Sequence, residues 1–439
     1  MTCDPRASLL IRQMFNAALE AVDPAAAVGR TIRVTDGQLT VNGRVIAVDG
    51  KLVVVAIGKG AERMAAGTVE ALGERIDSGY VITKYGHANG LLDARFQVFE
   101  AGHPILDQAG VDATRTTLES LARLEHHDVV LALISGGGSA LLEAPIDPVS
   151  LDDFAQLTRQ LLSAGAPIQD LNAVRIPLSA VKGGRLRQAC PAGRFVTLIL
   201  SDVLGNDPQV VASGPTVPGT VTGNDAHDLL KQYQLSDSVS PAVQAALAAN
   251  PPAHKAGGHD DDLVVFVADN SAALEAAAAG ARAGGTPVEI VWRDREGEAS
   301  VLGREWIVEV TGRKGPVVLL GGGEATVTVR GDGSGGRNTE FALSAALDLD
   351  TRNLSAWTIA SLATDGQDAL TDAAGAIACA GTVRDASASG LDPWQCLQDN
   401  DSLRVFEQSG GLVVTGPTGT NVNDLYFAVN LDLVETEPQ

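Results

Sequence analysis

Val53-Val54-Val55-Ala56-Ile57-Gly58-Lys59-Gly60, followed by Ala61-Glu62-Arg63-Met64-Ala65-Ala66, decides the fold class of this chain. An unbroken apolar run of strand length, a glycine turn and a helix-compatible stretch form one strand–turn–helix unit of a sheet buried on both faces. Comparable runs recur at 80–83, 129–134, 195–200, 263–268, 287–292 and 316–320, most of them followed by glycine-rich turns and helix-compatible segments. Alternation of this kind predicts an α/β architecture of two Rossmann-like domains with largely parallel sheets. Ligands gather outside the carboxyl ends of such strands, so the residues just after each run are the first candidates for a site.

At 439 residues the chain exceeds one ordinary core, and 45% hydrophobic residues with 48 glycines supply two cores and many tight turns. Between Thr216 and Asp262 the pattern loosens into a Pro-, Gly-, Ala- and Asp-rich region holding Pro251-Pro252 and Asp260-Asp261-Asp262. The boundary is placed at its end, giving domains 1–260 and 261–439, with an interdomain cleft expected to hold the active site.

The formal charge of −22 repels nucleic-acid backbones and anionic lipid surfaces, so neither is an expected partner. An anionic metabolite would need local cations, backbone amides or a metal. Cys3, Cys190, Cys379 and Cys396 form no C-x-x-C pair and read as reduced cytoplasmic thiols, with neither zinc nor a disulfide expected. Leu9, Leu10, Met14, Leu19 and Val22 predict an amphipathic N-terminal helix, not a signal peptide, and no run approaches the ~18 apolar residues of a membrane span.

Exposed amides at the Gly58-Lys59-Gly60 turn would hold an anion. The turn is not a dinucleotide fingerprint, because Arg63 takes the third glycine position and the next strand ends at Lys84 instead of an acidic ribose ligand. No Walker A loop occurs. Ser135-Gly136-Gly137-Gly138-Ser139 follows another buried-type strand, and successive amides there would cradle phosphate or carboxylate; close packing of a turn is the competing account. Arg175, Lys182, Arg185 and Arg187 cluster around Gly183-Gly184, which suggests an anion site against the alternative of solubilising charge. Asp202, directly after the run ending at Leu200, suits either a Mg²⁺ ligand or the acceptor of a hydroxyl proton, with a turn cap as the third option. Further on, Gly321-Gly322-Gly323-Glu324, Gly335-Gly336-Arg337-Asn338 and Thr364-Asp365-Gly366 add a guanidinium fork at a glycine-lined helix start and two carboxylates for metal or ribose. Thr415–Asp424 is dense in turn formers and hydroxyls, and Val327–Asn338 reads as a functional glycine-rich loop.

In this order the motifs resemble the class II glycerate 2-kinases, which carry an N-terminal glycerate-kinase domain and a C-terminal MOFRL domain. The resemblance spans nearly the whole chain and includes Gly102-His103-Pro104, Lys182-Gly183-Gly184-Arg185-Leu186 and Ser213-Gly214-Pro215-Thr216. It implies ATP-dependent phosphorylation of D-glycerate at the 2-hydroxyl with Mg²⁺, and catalytic roles for Lys59 and Arg337. From its place directly after a strongly apolar strand and 20 residues beyond Lys182, Asp202 is the leading general base. The expected compartment is the cytoplasm, with a homodimer allowed. Gly58, Gly60, Ser135, Gly136, Gly137, Gly138, Ser139, Lys182, Arg185, Gly336 and Asn338 are expected to bind substrate or phosphate, and Asp365, with Glu324 as alternative, to hold the metal. Asn206 stands where an acidic residue is frequent, and Gln367-Asp368-Ala369 interrupts a stretch commonly richer in glycine. The alternatives are an NAD(P)H-dependent hydroxypyruvate reductase, disfavoured by the failed fingerprint, and a non-enzymatic metabolite-binding regulator.

Overall fold

The computed structural model describes residues 3–249, 261–369 and 371–432, so Pro251-Pro252 and Asp260 of the expected boundary lie outside the described residues. The chain forms two compact units, Pro24–Val267 and Met1–Asp23 with Ala268–Gln439.

The first unit opens with an antiparallel meander of β1 (Ile32–Thr35), β2 (Gln38–Val41) and β3 (Arg44–Ile46). Its main sheet contains β4 (Leu52–Ile57), β5 (Ser78–Lys84), β6 (Phe96–Ala101), β7 (Val129–Ile134), β8 (Arg194–Leu200) and β9 (Leu263–Ala268), in the order β6-β5-β4-β7-β8-β9. The pairings from β6 through β8 are parallel, as expected from the apolar runs. β4 and β7 are buried at every residue, which is why both read as continuous apolar segments. The strand order reverses between β4 and β7, and this reversal opens a crevice at their carboxyl ends. Ile57 pairs with Ile134 and Ile134 with Ile199, so Gly58, Ser135 and the residues after Leu200 end level with one another.

The region expected to be a loose boundary is instead partly a helical lobe. Helices Gly223–Gln232 and Pro241–Ala249 bury Leu230, Val243 and Leu247 against Phe154, Leu157 and Leu171. Thr222 and Asp225 close the first of these helices with a reciprocal cap, a signal hidden by the Pro, Gly and Asp around it.

The second unit departs from a largely parallel sheet. Its strands are β10 (Val288–Glu298), β11 (Val317–Thr326), β12 (Thr358–Ala363), β13 (Ala373–Cys379), β14 (Leu412–Val414) and β15 (Asp424–Asn430), in the order β10-β11-β15-β12-β13-β14. Only β10 and β11 run parallel, because β15 inserts antiparallel between β11 and β12. A strand buried on both faces carries no mark of its direction in composition. Helix Arg337–Thr351 covers one face, with Phe341 stacked on Tyr426 at 4.5 Å. Helix Pro5–Ala21, placed by sequence with the N-terminal domain, packs here along helix Asn270–Ala283. Cys3 and Cys379 form a disulfide, which corrects the expectation of four reduced thiols; Cys190 and Cys396 are free and buried. Their 376-residue separation made the pairing invisible in the sequence.

Candidate active site

In the first unit the crevice is built by three strand ends. Gly58 has φ +115, and a Cβ there would lie 2.4 Å from the Ser135 carbonyl oxygen, so only glycine lets the two turns approach. The amides of Gly58, Lys59 and Gly60 donate to Ile82 O, Gly136 O and Ser135 Oγ, at 3.1, 2.9 and 3.0 Å. Ser135 Oγ also donates to Ile57 O at 3.2 Å. Gly58, Gly60 and Ser135, expected to bind substrate or phosphate, lock the two turns together in this structure. The turn satisfies its own donors before any ligand arrives.

The second turn stays open. Among the described residues the amides of Gly136, Gly137, Gly138 and Ser139 form no hydrogen bond, which leaves a run of donors at the strand end. A Cβ on Gly136 would lie 2.0 Å from Asp202 Oδ2, so the half-buried carboxylate presses directly on this turn. A Cβ on Gly137 would lie 3.1 Å from the His103 ring and 3.2 Å from Lys59 Cγ. Lys59, His103 and Asp202 thus converge on one short glycine segment. Burial pushes the Asp202 carboxyl up, while Lys59 works in the opposite direction. His103 is pushed down to about 4 by burial and by the positive charges of Lys59 and Lys84, so its imidazole is neutral at pH 7. Among the described residues the Lys59 ammonium has no ion-pair partner, leaving an uncompensated cation in a strongly acidic protein. His103 escaped the list of candidates because a single histidine in a Gly-His-Pro segment carries no spacing signal.

Ala212 and Ser213, at φ +51 and +60, form a strained turn over this crevice. A Cβ on Gly138 would lie 2.6 Å from Ala212 Cβ, and Ser213 Oγ lies 2.9 Å from Ser139 Oγ. Two consecutive non-glycine residues in the left-handed region persist only where the surroundings force them, and here they close over the Gly136–Ser139 turn.

The basic segment, expected to bind substrate or phosphate, is held by internal partners in this structure. Lys182 is fully buried, with its ammonium 3.2 Å from the buried Glu143 carboxylate and donating to Ser139 O at 2.7 Å. Burial pushes Lys182 down to about 8, opposed by Glu143. Arg175 also donates to Ser139 O, at 3.3 Å. Arg185 donates to the carbonyls of Ile176 and Pro177, each at 3.0 Å, and Arg187 pairs with Asp262 at 2.7 Å. Lys182 and Arg185 therefore brace the protein from within and, in this structure, are committed to internal partners. Charged residues on a sequence do not reveal whether their partners are protein or ligand, and Glu143 39 residues earlier gave no hint.

In the second unit Arg337 forms a fork on the fully buried Asp424, with Nε and Nη2 each 2.8 Å from a carboxylate oxygen. Burial works against the guanidinium charge, but Asp424, Asp365 and Asp368 together hold its pKa well above the ordinary value. About a quarter of the side chain remains exposed, so Nη1 is left to meet a ligand. The helix start behind it is not an anion site. The amides of Asn338 and Thr339 donate to Asp368 at 2.9 and 2.8 Å, and Gly336 N donates to Thr339 Oγ1 at 2.9 Å. Asn338 also donates to Asp424 at 3.0 Å and accepts from Ser361. At Gly336 and Asn338, expected to bind phosphate, the acceptor in this structure is internal: Asp368, the residue breaking the glycine-rich pattern, takes the amides of Asn338 and Thr339.

Asp365 is half-buried, takes Gln367 N at 3.0 Å and contributes to the field at Arg337. Glu324 is exposed, and because Gly323 stands opposite Asp424 in the sheet, strand alternation turns Glu324 to the other face. Among the described residues no three His, Cys, Asp or Glu side chains are grouped to hold a metal. Mg²⁺ typically uses one or two carboxylates with waters and substrate phosphates, and Asp365 fits that demand better than Glu324.

Residues 10–248 match the family described as a domain of unknown function, DUF4147, and residues 317–424 match the MOFRL family. A D-glycerate 2-kinase of Thermotoga maritima is 42% identical over 86% of this chain and 90% of its own. A protein of Agrobacterium vitis, provisionally named a hydroxypyruvate reductase, is 41% identical over 86% of this chain and 98% of its own. The crystal structure of a Thermotoga maritima glycerate kinase superposes with a TM-score of 0.87 at 37% identity, covering 98% of this chain and all of that one.

Proposed function

This chain belongs to the DUF4147–MOFRL family that contains the glycerate 2-kinases, and from that premise we propose how its residues carry the family reaction. The protein is a phosphotransferase that moves the γ-phosphoryl group of ATP to the 2-hydroxyl of D-glycerate, giving 2-phosphoglycerate and ADP. The observation that carries the residue assignment is the convergence of an unpaired ammonium, a carboxylate of raised pKa and open amides on Gly136–Gly138.

In this reading the D-glycerate carboxylate is held by the amides of Gly136, Gly137 and Gly138 and by the Lys59 ammonium. Its 2-hydroxyl donates to Asp202, which orients the nucleophile and accepts the proton as the O–P bond forms. A raised carboxyl pKa brings Asp202 closer to the working pH, where a base is most effective. Neutral His103 adds a wall and a hydrogen-bonding ring without competing for the anion. Within the second unit Arg337, fixed in orientation by Asp424, presents guanidinium donors suited to phosphate charge. Asp365 would hold Mg²⁺, which when bound neutralises the phosphate oxygens of ATP. With ATP as donor, the proposed compartment is the cytoplasm; among the described residues no helix is long and apolar enough to cross a membrane.

A reductase would place a dinucleotide pyrophosphate on the first glycine turn. That turn spends the amides of Gly58, Lys59 and Gly60 on Ile82, Gly136 and Ser135. The test is ADP release from D-glycerate and ATP with Asp202→Asn as probe. A base loses turnover at an unchanged Mg²⁺ requirement; a metal ligand shows a raised requirement, partly rescued by excess Mg²⁺. Near-wild-type turnover of Asp202→Asn at ordinary Mg²⁺ would remove both roles.

A further inference from the structure

Within the second unit a cavity of about 280 Å³ lies beside helix Arg337–Thr351, lined among others by Glu298, Arg304, Arg330, Glu340, Trp394 and Asn400. Trp292, Trp306 and Trp357 are at most 8% exposed, whereas Trp394 is 51% exposed and faces this cavity. Leaving an indole in water forgoes a large burial energy, and a flat ring of a ligand would recover it by stacking. Glu340 is 3% exposed, and one of its oxygens accepts from Asn400 at 2.9 Å. Among the described residues its other oxygen takes no hydrogen bond and, as part of the cavity lining, it is open to a donor placed there. Burial accordingly pushes the Glu340 carboxyl up. Glu298, by contrast, is already engaged by Thr328 N and Oγ1.

The remaining lining sets the charge. Arg304 and Arg330 both line the cavity in a chain of net charge −22, and with Glu298 engaged by Thr328 they are the donors there for an anionic group. The glycine-rich loop seen in the sequence forms one wall. Arg330 N and Gly331 N donate to Asn400 Oδ1 at 2.7 and 3.1 Å, and Cβ atoms on Gly331 and Gly333 would lie 2.4 and 2.5 Å from Asp399 O. The loop is thereby pressed flat on the 399–401 turn, and it leads along the chain from the cavity to Arg337. Glu340 stands one helical turn from Arg337, about 5 Å along the axis.

We propose that this cavity receives the nucleoside of an adenine nucleotide, with the purine on Trp394, its exocyclic amine donating to Glu340, and its phosphates leading past Arg330 towards Arg337. The proposal rests on the kinase reading for the nucleotide's role as phosphoryl donor, but the cavity's chemistry supports it separately. A planar ring, an N–H donor and an anionic tail in one molecule match the indole, the carboxylate and the arginines.

The test uses the full chain and ADP as the probe. ADP is expected to quench tryptophan fluorescence in the wild type, and Trp394→Ala to weaken ADP binding about 10-fold or more, read by calorimetry. Glu340→Gln, which keeps the shape and removes the charge, is expected to weaken binding as well. Both variants are expected to raise KM for ATP in parallel while KM for D-glycerate stays fixed, with retained Tm confirming the fold. The proposal is overturned if the wild type does not bind ADP, if both variants bind it unchanged, or if binding weakens without a rise in KM for ATP. ADP binding that depends on Trp394 in a protein unable to phosphorylate D-glycerate would uphold the nucleoside pocket and remove the kinase reading.

Discussion

Gly136→Ala separates the position of the Asp202 carboxylate from the base chemistry proposed for it. The backbone at Gly136 is not in the left-handed region, so alanine meets no conformational penalty there. The added methyl would lie 2.0 Å from Asp202 Oδ2 and 2.6 Å from Cγ, against an ordinary contact that begins near 3.4 Å. The carboxylate must retreat by about 1.4 Å or rotate away, because the Gly136 turn is tied to Lys59 N at 2.9 Å and yields less readily. A displacement of about 1 Å at a reacting group costs on the order of 10²-fold in rate. Steady-state kinetics of ADP release should therefore show kcat down about 10²-fold with a small change in Tm. Asp202→Asn should lose a comparable factor, and the double variant should be little worse than either single one, because both remove the same positioned group. If Gly136→Ala keeps wild-type kcat with the fold intact, Asp202 does not act at that position and the crevice assignment fails.

Five further outcomes follow from the same contacts. Lys59→Ala should lower kcat/KM by about 10²-fold with little loss of Tm, since its ammonium supports no internal pair; Arg337→Lys should not rescue Arg337→Ala, because a point charge cannot replace the fork on Asp424. Asp424→Asn should cost about 3 kcal/mol in urea unfolding, as it leaves a mostly buried guanidinium without its counter-charge. Lys182→Ala should cost about 3–5 kcal/mol by stranding Glu143, and pairing Lys182→Met with Glu143→Gln should recover most of it. His103, near 4 in the folded protein and near 6.5 unfolded, contributes stability that is present above pH 6.5 and lost as pH falls towards 4. His103→Gln should flatten stability curves in that window.

What the sequence disclosed follows from what composition encodes. The runs at Leu52–Ile57 and Val129–Ile134 are buried on both faces and therefore visible as apolar blocks, and the glycines after them mark the crevice. The direction of β15 was not visible, because a buried strand looks alike in either sense and its partners β11 and β12 lie far away in sequence. The places of Lys59 and Asp202 just beyond the strands ending at Ile57 and Leu200 were legible. Whether a donor or a cation is already spent was not: Gly60 N is taken by Ser135 Oγ, the Asn338 amide by Asp368 and Lys182 by Glu143, each a pairing across 30 or more residues. Glycine-rich turns and lysine clusters look the same whether they hold a ligand or hold the protein, and only the partner across the fold separates the two.

The most direct measurement is NMR of the product formed from D-glycerate, ATP and Mg²⁺ by the full chain. Phosphorus coupled to the single proton on C2, appearing in step with ADP, is the predicted result. Phosphate on C3, or no phosphoryl product from a protein that instead oxidises NADH in the presence of hydroxypyruvate, would contradict the account.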